Sequence, residues 1–339
     1  LILVGMGMSS TISYVKARQA MTNTLKSQIS EITESTASII DAWIKDRGLD
    51  LRSWSQQQSF QTAVQESFVG KAARKSANKL LTELKSAYGH YEDIIVANPN
   101  GEIIAASNSD VVGKINVADR GYFKTALQGE KGVSDVIKSR ASGNPVFAIA
   151  MPLIAKEQVV GVIAGILDLS TFSSTFVDHI KVGAEGYAYI ADQQGRVIAH
   201  PDKSMILELN LNELDFGKQL MTMEDGFLAY DWQGDHKWAA VQKTPAIGWR
   251  VAVVAVKGDI LAPVKALGQF SLVVAAVVVG VAGAIVYLLT SSVVKPINDV
   301  VAGLKDAAEG DGDLTKRLEV KTRDEVGQLA HWFNTFISK

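Results

Sequence analysis

The sequence predicts an α+β fold: a long N-terminal helix, two tandem antiparallel-sheet modules, a transmembrane helix and a final pair of short helices. Three observations predict it. A hairpin pattern of apolar, β-prone residues occurs twice, which indicates a duplicated sheet module. An uncharged run near residue 270 is long enough to cross a bilayer. Apolar residues in the C-terminal segment recur at heptad spacing, which is typical of packed helices.

The composition narrows the possible classes of function. The 339 residues include no cysteine, which excludes disulfides, thiolate catalysis and cysteine-bound zinc. The net charge of −2 gives no sign of a nucleic-acid partner. The scattered histidines lack metal-ligand spacing, and no glycine-rich phosphate loop follows a strand and opens a helix. We therefore predict no enzyme activity, no metal and no cofactor within this chain.

The N-terminal part is predicted to be helical. Residues 1–15 carry no charge, and we expect the end of a first transmembrane helix there, with a trimmed signal sequence as the alternative. Residues 16–88 are expected to form a long stalk helix, because apolar residues such as Ile29, Ile40 and Ile44 recur near helical spacing. Such a stripe needs a partner, so we favour a homodimer, with packing on the chain's own modules as the alternative.

The two sheet modules are predicted from the repeated hairpin. The run that begins at Tyr91 has two apolar stretches joined by an Asn-Pro-Asn-Gly turn that ends at Gly101. A second copy at residues 186–202 carries Gly195 at the equivalent place, 94 positions later. Each copy is followed by two further apolar stretches around a turn. We expect one module at residues 89–182 and another at residues 183–262.

This outer segment resembles the double Cache sensor domains of bacterial receptors, over roughly residues 20–262. The resemblance lies in the long helix, the tandem modules and three strings: DRGYF at 119–123, SDV at 134–136 and GNP at 143–145. It implies that both modules are PAS-like. It also implies that a small ligand binds in the membrane-distal module, residues 89–182, rather than in the proximal one.

Arg120 and Tyr122 are the first candidate ligand-binding residues. An arginine at the turn before a helix can offer two donors to a carboxylate, and the Tyr122 hydroxyl can add a third. The alternative is that Arg120 pairs with Asp119 or caps the loop. The resemblance implies that an Arg-x-aromatic-aromatic string, here ending at Phe123, grips a ligand carboxylate. Lys138 is a further candidate for a second carboxylate, with a solvated strand position as its alternative.

The expected ligand class depends on one strand. In amino-acid-binding relatives of this family an aspartate on a late strand grips the ammonium, and its register falls here on Ile166. An apolar side chain cannot balance a buried ammonium. We therefore expect a small organic acid of about two to four carbons. Asp168 lies on the same side of the strand but nearly 7 Å further along. An amino acid held by Asp168 is the second choice.

The transmembrane helix is predicted at residues 268–291. A helix of the 21 uncharged residues from Phe270 to Thr290 would span about 31 Å, which matches the hydrocarbon core of a bilayer. A modest excess of lysine and arginine after this span favours a cytoplasmic C-terminal side. The sensor segment would then be periplasmic and the protein would reside in the inner membrane.

Residues 292–339 are predicted to form two heptad helices. Apolar residues recur with spacings of three and four in both, at Ile297, Val301, Leu304 and Ala308, and at Val326, Leu329, Phe333 and Phe336. Two chains would bury these seams in a four-helix bundle. With Pro296, the connector GDLTKRLEV and the string DEVG at 324–327, this segment resembles a HAMP domain.

A sensor, a span and a HAMP-like pair in this order imply transmembrane signalling. The resemblance is strongest to methyl-accepting chemotaxis receptors, so we expect a homodimeric chemoreceptor that acts on cytoplasmic partners through a domain beyond residue 339. The alternatives are the input region of a sensor histidine kinase or of a diguanylate cyclase, and an amino-acid-sensing chemoreceptor. A surface binding protein without signalling is a third class, which the HAMP resemblance argues against.

Overall fold

The fold is described from a computed structural model, which covers residues 2–309, 317 and 325–338. The chain divides into two compact units. One unit comprises residues 19–262 and contains both sheets. The other comprises residues 1–18 and 263–339 and is helical wherever the structure describes regular elements. The predicted α+β class, with a long N-terminal helix before two antiparallel sheets, is confirmed.

The N-terminal segment is interrupted, unlike the single helix expected over residues 16–88. It contains α1 (Ile2–Ser55), α2 (Gln58–Ala63) and α3 (Phe68–Tyr88). Ser67 adopts an extended backbone, and its hydroxyl accepts a hydrogen bond from the Gly70 amide at 3.1 Å. This cap starts α3 afresh, because it satisfies an amide that a new helix leaves unpaired. Periodicity carried no sign of the breaks, since apolar spacing continues through them.

The first module, predicted at residues 89–182 and named the distal module, contains a six-stranded antiparallel sheet. Its strands are β1 (Tyr91–Ala97), β2 (Ile103–Ala106), β3 (Gly132–Val133), β4 (Ile137–Lys138), β5 (Pro145–Ala155) and β6 (Gln158–Asp168). Their order is β2-β1-β6-β5-β3, and β4 also pairs with β5. Two short helices belong to this module, α4 (Gly121–Leu127) and α5 (Leu169–Phe176).

The second module, predicted at residues 183–262 and named the proximal module, repeats this plan. Its strands are β7 (Lys181–Val182), β8 (Gly186–Ala191), β9 (Val197–Ala199), β10 (Asp225–Trp232), β11 (Asp235–Lys243) and β12 (Arg250–Val256). Their order is β10-β11-β12-β8-β7, and β9 pairs with β8. The helices are α6 (Asp215–Thr222) and α7 (Lys257–Ile260).

The duplication holds residue by residue in the first half of each module. Gly101 and Gly195 both have a left-handed φ, of 79° and 80°, which glycine adopts without steric cost. The same offset of 94 relates the 3₁₀ turns Ser109–Val111 and Lys203–Met205. It also relates the isolated bridges Glu102–Asn116 and Arg196–Asn210. The two modules can therefore be compared position by position.

One face of each sheet packs against α1, and these faces share a core. Among its aromatic residues, the ring centres of Trp43 of α1 and Phe172 lie 5.7 Å apart. The ring centres of Phe147 of β5 and Trp249 of the proximal module lie 5.2 Å apart. The Lys203 ammonium also contacts the Asp178 carboxylate at 2.6 Å, which joins the two modules. Because α1 and both modules contribute to one core, they form a single packed body within residues 19–262.

The second unit contains a long exposed apolar helix. It consists of α8 (Ala262–Leu289), a π-helical turn (Thr290–Val294) and α9 (Lys295–Glu309). The stretch Ala262–Lys305 has a mean hydropathy of 2.8 in its most apolar window, none of which is buried. Among the described residues it is the one helix long and apolar enough to cross a membrane. The predicted span of residues 268–291 lies within it.

The C-terminal pair consists of α9 and α10 (Glu325–Phe336). Val300, Ala330, Phe333 and Ile337 are buried in this pair. Most predicted seam positions are instead exposed in the single chain, namely Ile297, Val301, Leu304, Leu329 and Phe336. The side chains of Ala308 and Val326, Asp324 and the connector apart from Arg317 lie outside the described residues.

Candidate ligand-binding site

The candidate site is a cavity on the distal sheet face turned away from α1. About 430 Å³ of space lies between its walls, part of it open to solvent. Its apolar wall includes Ile95 of β1, Val146 of β5 and Ile166 of β6. Its polar residues are Glu92, Asp93, Arg120, Tyr122, Lys138 and Arg140.

The start of α4 brings Arg120 and Tyr122 to this cavity. Gly132 of β3 permits the approach, since a Cβ there would lie 2.1 Å from the Tyr122 carbonyl oxygen. Arg120 is half-buried, and its Nη2 donates a 3.3 Å hydrogen bond to the Lys138 carbonyl oxygen. No carboxylate of the described residues lies within 4.0 Å of its guanidinium. Burial raises the pKa of Tyr122 to about 12, so its hydroxyl keeps its proton at neutral pH.

Asp119 does not neutralise Arg120, because it pairs with Arg140. The two Asp119 oxygens accept hydrogen bonds from the Arg140 guanidinium at 2.9 and 2.6 Å. Arg140 also donates to the Asn116 carbonyl. On the other side, Glu92 accepts hydrogen bonds from the hydroxyls of Ser139 and Ser142. The loop at 139–142 is therefore tied to both sides of the cavity.

Asp93 is a buried carboxylate at the cavity wall. Only 4% of it is exposed, and its Oδ1 accepts hydrogen bonds from the Ser107 hydroxyl and the Asn108 amide. Burial raises the pKa of this carboxyl, and the hydrogen bonds oppose that rise. Asp93 pairs directly with Ile166 across β1 and β6. A carboxylate therefore stands beside the position where the sequence offered only an apolar residue.

The five residues singled out from the sequence are only partly brought together. Arg120, Tyr122 and Lys138 line the cavity, with the Lys138 side chain exposed. Phe123 does not line it and is 1% exposed in the core under α4. Asp168 does not line it either, because its Oδ1 caps α5 by accepting the Thr171 amide at 2.7 Å. That cap is the expected role of an aspartate just before a helix.

Sequence reasoning missed Asp93, Glu92 and Arg140. The sequence did contain a signal for Asp93, which interrupts an apolar strand on the same face as Ile95. An unpaired carboxylate buried on such a face is energetically costly, so its presence indicates a role. Arg140 gave no comparable signal, since its bonds to Asp119 depend on how two distant loops meet. Within residues 2–309, 317 and 325–338, no group of three or more potential metal ligands exists.

Comparisons with known proteins agree with this architecture. The Cache domain family matches residues 17–264, and the HAMP domain family matches residues 288–339. Methyl-accepting chemotaxis protein PscA of Pseudomonas syringae pv. tomato is 25% identical over 362 aligned positions, which cover 100% of this chain and 52% of PscA. The chain thus spans about half the length of that curated relative.

Solved structures share the fold of the sensor region. The ligand-binding domain of the amino acid chemoreceptor PctB of Pseudomonas aeruginosa, solved with L-Arg, has a TM-score of 0.56 at 21% identity. The match covers 71% of this chain and 98% of that domain. The extracellular domain of a proposed histidine kinase, mmHK1S-Z2, has a TM-score of 0.55 at 13% identity, with coverages of 70% and 100%.

These matches extend over most of the chain. The family match alone covers both sheet modules and most of α1. The chain belongs to the Cache domain family, as a double Cache sensor region that is followed by a HAMP domain.

Proposed function

We propose that this chain is the sensing and relaying part of a transmembrane chemoreceptor whose distal module binds a small carboxylate-bearing ligand. The observation that carries the proposal is Arg120, a half-buried cation at a cavity with no carboxylate within 4.0 Å among the described residues. A charge-assisted hydrogen bond contributes about 1.5–3 kcal/mol, so two or three of them support roughly micromolar binding of a small anion.

The ligand we favour is an α-amino acid. Arg120 and the Tyr122 hydroxyl would hold its carboxylate, and Asp93 would balance its ammonium from the opposite strand. This differs from the organic acid expected on the basis of Ile166 alone, because Asp93 supplies the missing charge beside it. PctB, a structural relative, was solved with L-Arg. A buried carboxylate at a cavity without a paired cation favours a cationic group on the ligand.

A small organic acid is the second candidate. Lys138 lines the same cavity, and Ile166 contributes an apolar wall there. The raised pKa of Asp93 also favours its neutral form, which would tolerate a ligand without an ammonium. This candidate therefore predicts that a hydroxy acid binds as well as the matching amino acid does.

We further propose an inner-membrane homodimer with the sensor outside and the HAMP domain inside. Five of the eight predicted heptad positions are exposed in the single chain, which is the arrangement that a second copy would cover. The apolar stretch Ala262–Lys305 would cross the bilayer once. In the ligand site, we assign no ligand contact to Asp168, because its carboxylate caps α5.

The proposed mechanism is a shift between two populations. A ligand in the distal cavity would hold the 139–142 loop against α4 and so favour one arrangement of the sensor core. α1 is part of that core, since the Tyr88 hydroxyl donates to Asp50 at 3.3 Å and the Ala246 amide donates to Asp41 at 2.6 Å. A coupling free energy of about 1–3 kcal/mol would bias the HAMP helices between two packings.

A histidine kinase or diguanylate cyclase input region is the rival function. The fold does not discriminate, because the extracellular domain of a proposed histidine kinase shares it. The chemoreceptor relatives extend well beyond the part that this chain matches. The residues after 339 in the full gene would decide: a long helical hairpin indicates a receptor, and an ATP-binding domain indicates a kinase.

The experiment uses the 339-residue chain in detergent micelles and a matched ligand pair, L-alanine and L-lactate, which share a skeleton and differ in the amino group. Isothermal titration calorimetry should detect binding of L-alanine and only weak binding of L-lactate. Arg120→Ala should weaken L-alanine binding at least about a hundredfold, since two charge-assisted bonds are lost. Unchanged binding by Arg120→Ala would refute the site. Binding of L-lactate as tight as that of L-alanine, or tighter, would refute the amino acid and support the second candidate.

A further inference from the structure

The proximal module has its own cavity at the equivalent place. It lies on the face of its sheet turned away from α1 and encloses about 620 Å³ of space, part of it open to solvent. Its walls include five aromatic residues, Tyr187, Tyr189, Phe216, Tyr230 and Trp232. The Phe216 and Tyr230 rings stack 4.1 Å apart, so this wall is preformed. Flat aromatic walls of this kind bind apolar and aromatic groups.

Lys237 places a buried cation at this cavity. The residue is only 6% exposed, although lysine is almost never fully buried without a partner. Its ammonium lies 3.4 Å from the Tyr187 hydroxyl and 5.3 Å from the centre of that ring. Among the described residues no carboxylate lies within 4.0 Å of it. An ammonium in this setting lacks the counter-charge that burial demands.

A buried hydroxyl at the same cavity also has spare hydrogen-bonding capacity. The Tyr189 hydroxyl is buried and lies near that of Tyr230, yet it makes no hydrogen bond of ordinary geometry in the described structure. Asp202 also lines this cavity, but it is exposed, and its Oδ1 accepts from both the amide and the hydroxyl of Ser204. Apart from the 3.4 Å contact of the Lys237 ammonium with the Tyr187 hydroxyl, the described residues give neither this ammonium nor the Tyr189 hydroxyl an acceptor.

The position of the cation differs between the modules. Register places Lys237 on β11 where the distal module has Val146 on β5. At the position equivalent to Arg120, the proximal module has Leu214. Both modules therefore have a cavity, but its cation comes from the start of α4 in the distal module and from β11 in the proximal module.

We propose that this cavity is a second binding site, for a small monocarboxylate with an apolar or aromatic body. The carboxylate would pair with the Lys237 ammonium and accept a hydrogen bond from the Tyr189 hydroxyl. The body would lie against the aromatic walls. The ligand differs from that of the distal site, since the proximal cavity has no buried carboxylate equivalent to Asp93, whose place is taken by Tyr187.

The test titrates benzoate, phenylacetate and isovalerate into the 339-residue chain in detergent micelles, with benzamide as a neutral match to benzoate. At least one of the acids should bind with a dissociation constant below about 1 mM, and benzamide should bind at least about tenfold more weakly than benzoate. Lys237→Met keeps an unbranched side chain, one heavy atom shorter than that of lysine, and removes its charge. It should weaken acid binding at least about tenfold and leave benzamide unchanged.

Two controls keep the result interpretable. Tyr189→Phe removes a buried hydroxyl without a hydrogen bond, so it should fold normally and weaken acid binding by about threefold. Arg120→Ala, in the other module, should leave benzoate binding unchanged. The proposal is refuted if no acid binds with a dissociation constant below about 1 mM, or if Lys237→Met binds the acids as tightly as the wild type. It is equally refuted if benzamide matches benzoate in the wild type.

Discussion

The two modules show how one fold can be kept while its chemistry changes. Four strands have the same order in both sheets, β2-β1-β6-β5 in the distal module and β9-β8-β12-β11 in the proximal one. Both modules also have the same glycine turn and a cavity on the same sheet face. The distal cavity combines Arg120 with a buried carboxylate, Asp93. The proximal cavity combines Lys237 with aromatic walls and has no such carboxylate. The backbone pattern therefore specifies where a ligand can lie, and a few side chains specify which one.

The largest expected effect tests whether the two modules form one packed body. Phe147→Ala opens a hole in a core that α1 and both modules share, and such a change typically costs about 3–5 kcal/mol. We expect a lowered thermal midpoint with a single transition, followed by circular dichroism. Phe68→Ala is the matched control, because Phe68 is 89% exposed. Equal midpoints for the two variants, or a loss confined to one module, would contradict a shared core.

The next effect sharpens the chemical difference between the cavities. Asp93→Asn keeps an acceptor for Ser107 and Asn108 but cannot balance an ammonium. We expect at least about tenfold weaker L-alanine binding and little change for L-lactate, measured by calorimetry. If L-alanine binding survives, the ammonium is held by another residue, and the assignment of Asp93 is wrong.

The third effect concerns pH. Because burial raises the folded-state pKa of Asp93 above its ordinary value of 3.8, the folded protein holds this proton more tightly than the unfolded chain does. Protonated Asp93 therefore contributes to the free energy of unfolding at pH values below 3.8, and this contribution is lost as the pH rises through the raised folded-state pKa. The unliganded Asp93→Asn chain should therefore melt higher than wild type at pH 7, with the gap closing near pH 3.8. A gap that stays constant with pH would exclude a titrating Asp93.

The smallest effect concerns the loop over the distal cavity. Asp119→Asn weakens the pair with Arg140, which is exposed and so contributes little to stability. We expect an unchanged thermal midpoint but faster dissociation of L-alanine in stopped-flow measurements. Glu213→Gln, at the equivalent proximal position, is the control and should change neither quantity. Dissociation as slow as in wild type would mean that the loop does not retain the ligand.

Sequence alone predicted much of this fold and less of the site. The hairpin repeat and the uncharged run depend on local patterns, so the two sheets and the apolar helix followed from them. The breaks after Ser55 and Ala63 did not, because a cap at Ser67 competes with continuous periodicity. Asp168, predicted as a pocket residue, does not line the described cavity for a related reason. Strand alternation placed it correctly on a face, but the strand ends there and the carboxylate caps α5.

The long-range parts of the site were beyond sequence reasoning. Asp93 lies opposite Ile166 only because β1 pairs with β6, a register that involves residues more than seventy positions apart. Among the described residues no carboxylate lies within 4.0 Å of the Lys237 ammonium, although Asp202 lines the same cavity, where its Oδ1 accepts hydrogen bonds from Ser204. In both cases the residue type was visible in the sequence, and its significance depended on which neighbours the fold supplied.

The most direct test of the central comparison is a reciprocal titration of L-alanine and benzoate into wild type, Arg120→Ala and Lys237→Met by calorimetry. If each cavity recognises its own ligand, Arg120→Ala weakens the binding of L-alanine and leaves the binding of benzoate unchanged. Lys237→Met then weakens the binding of benzoate and leaves the binding of L-alanine unchanged. If either substitution weakens both ligands equally, or if neither weakens any, the two cavities are not separate sites with different chemistry.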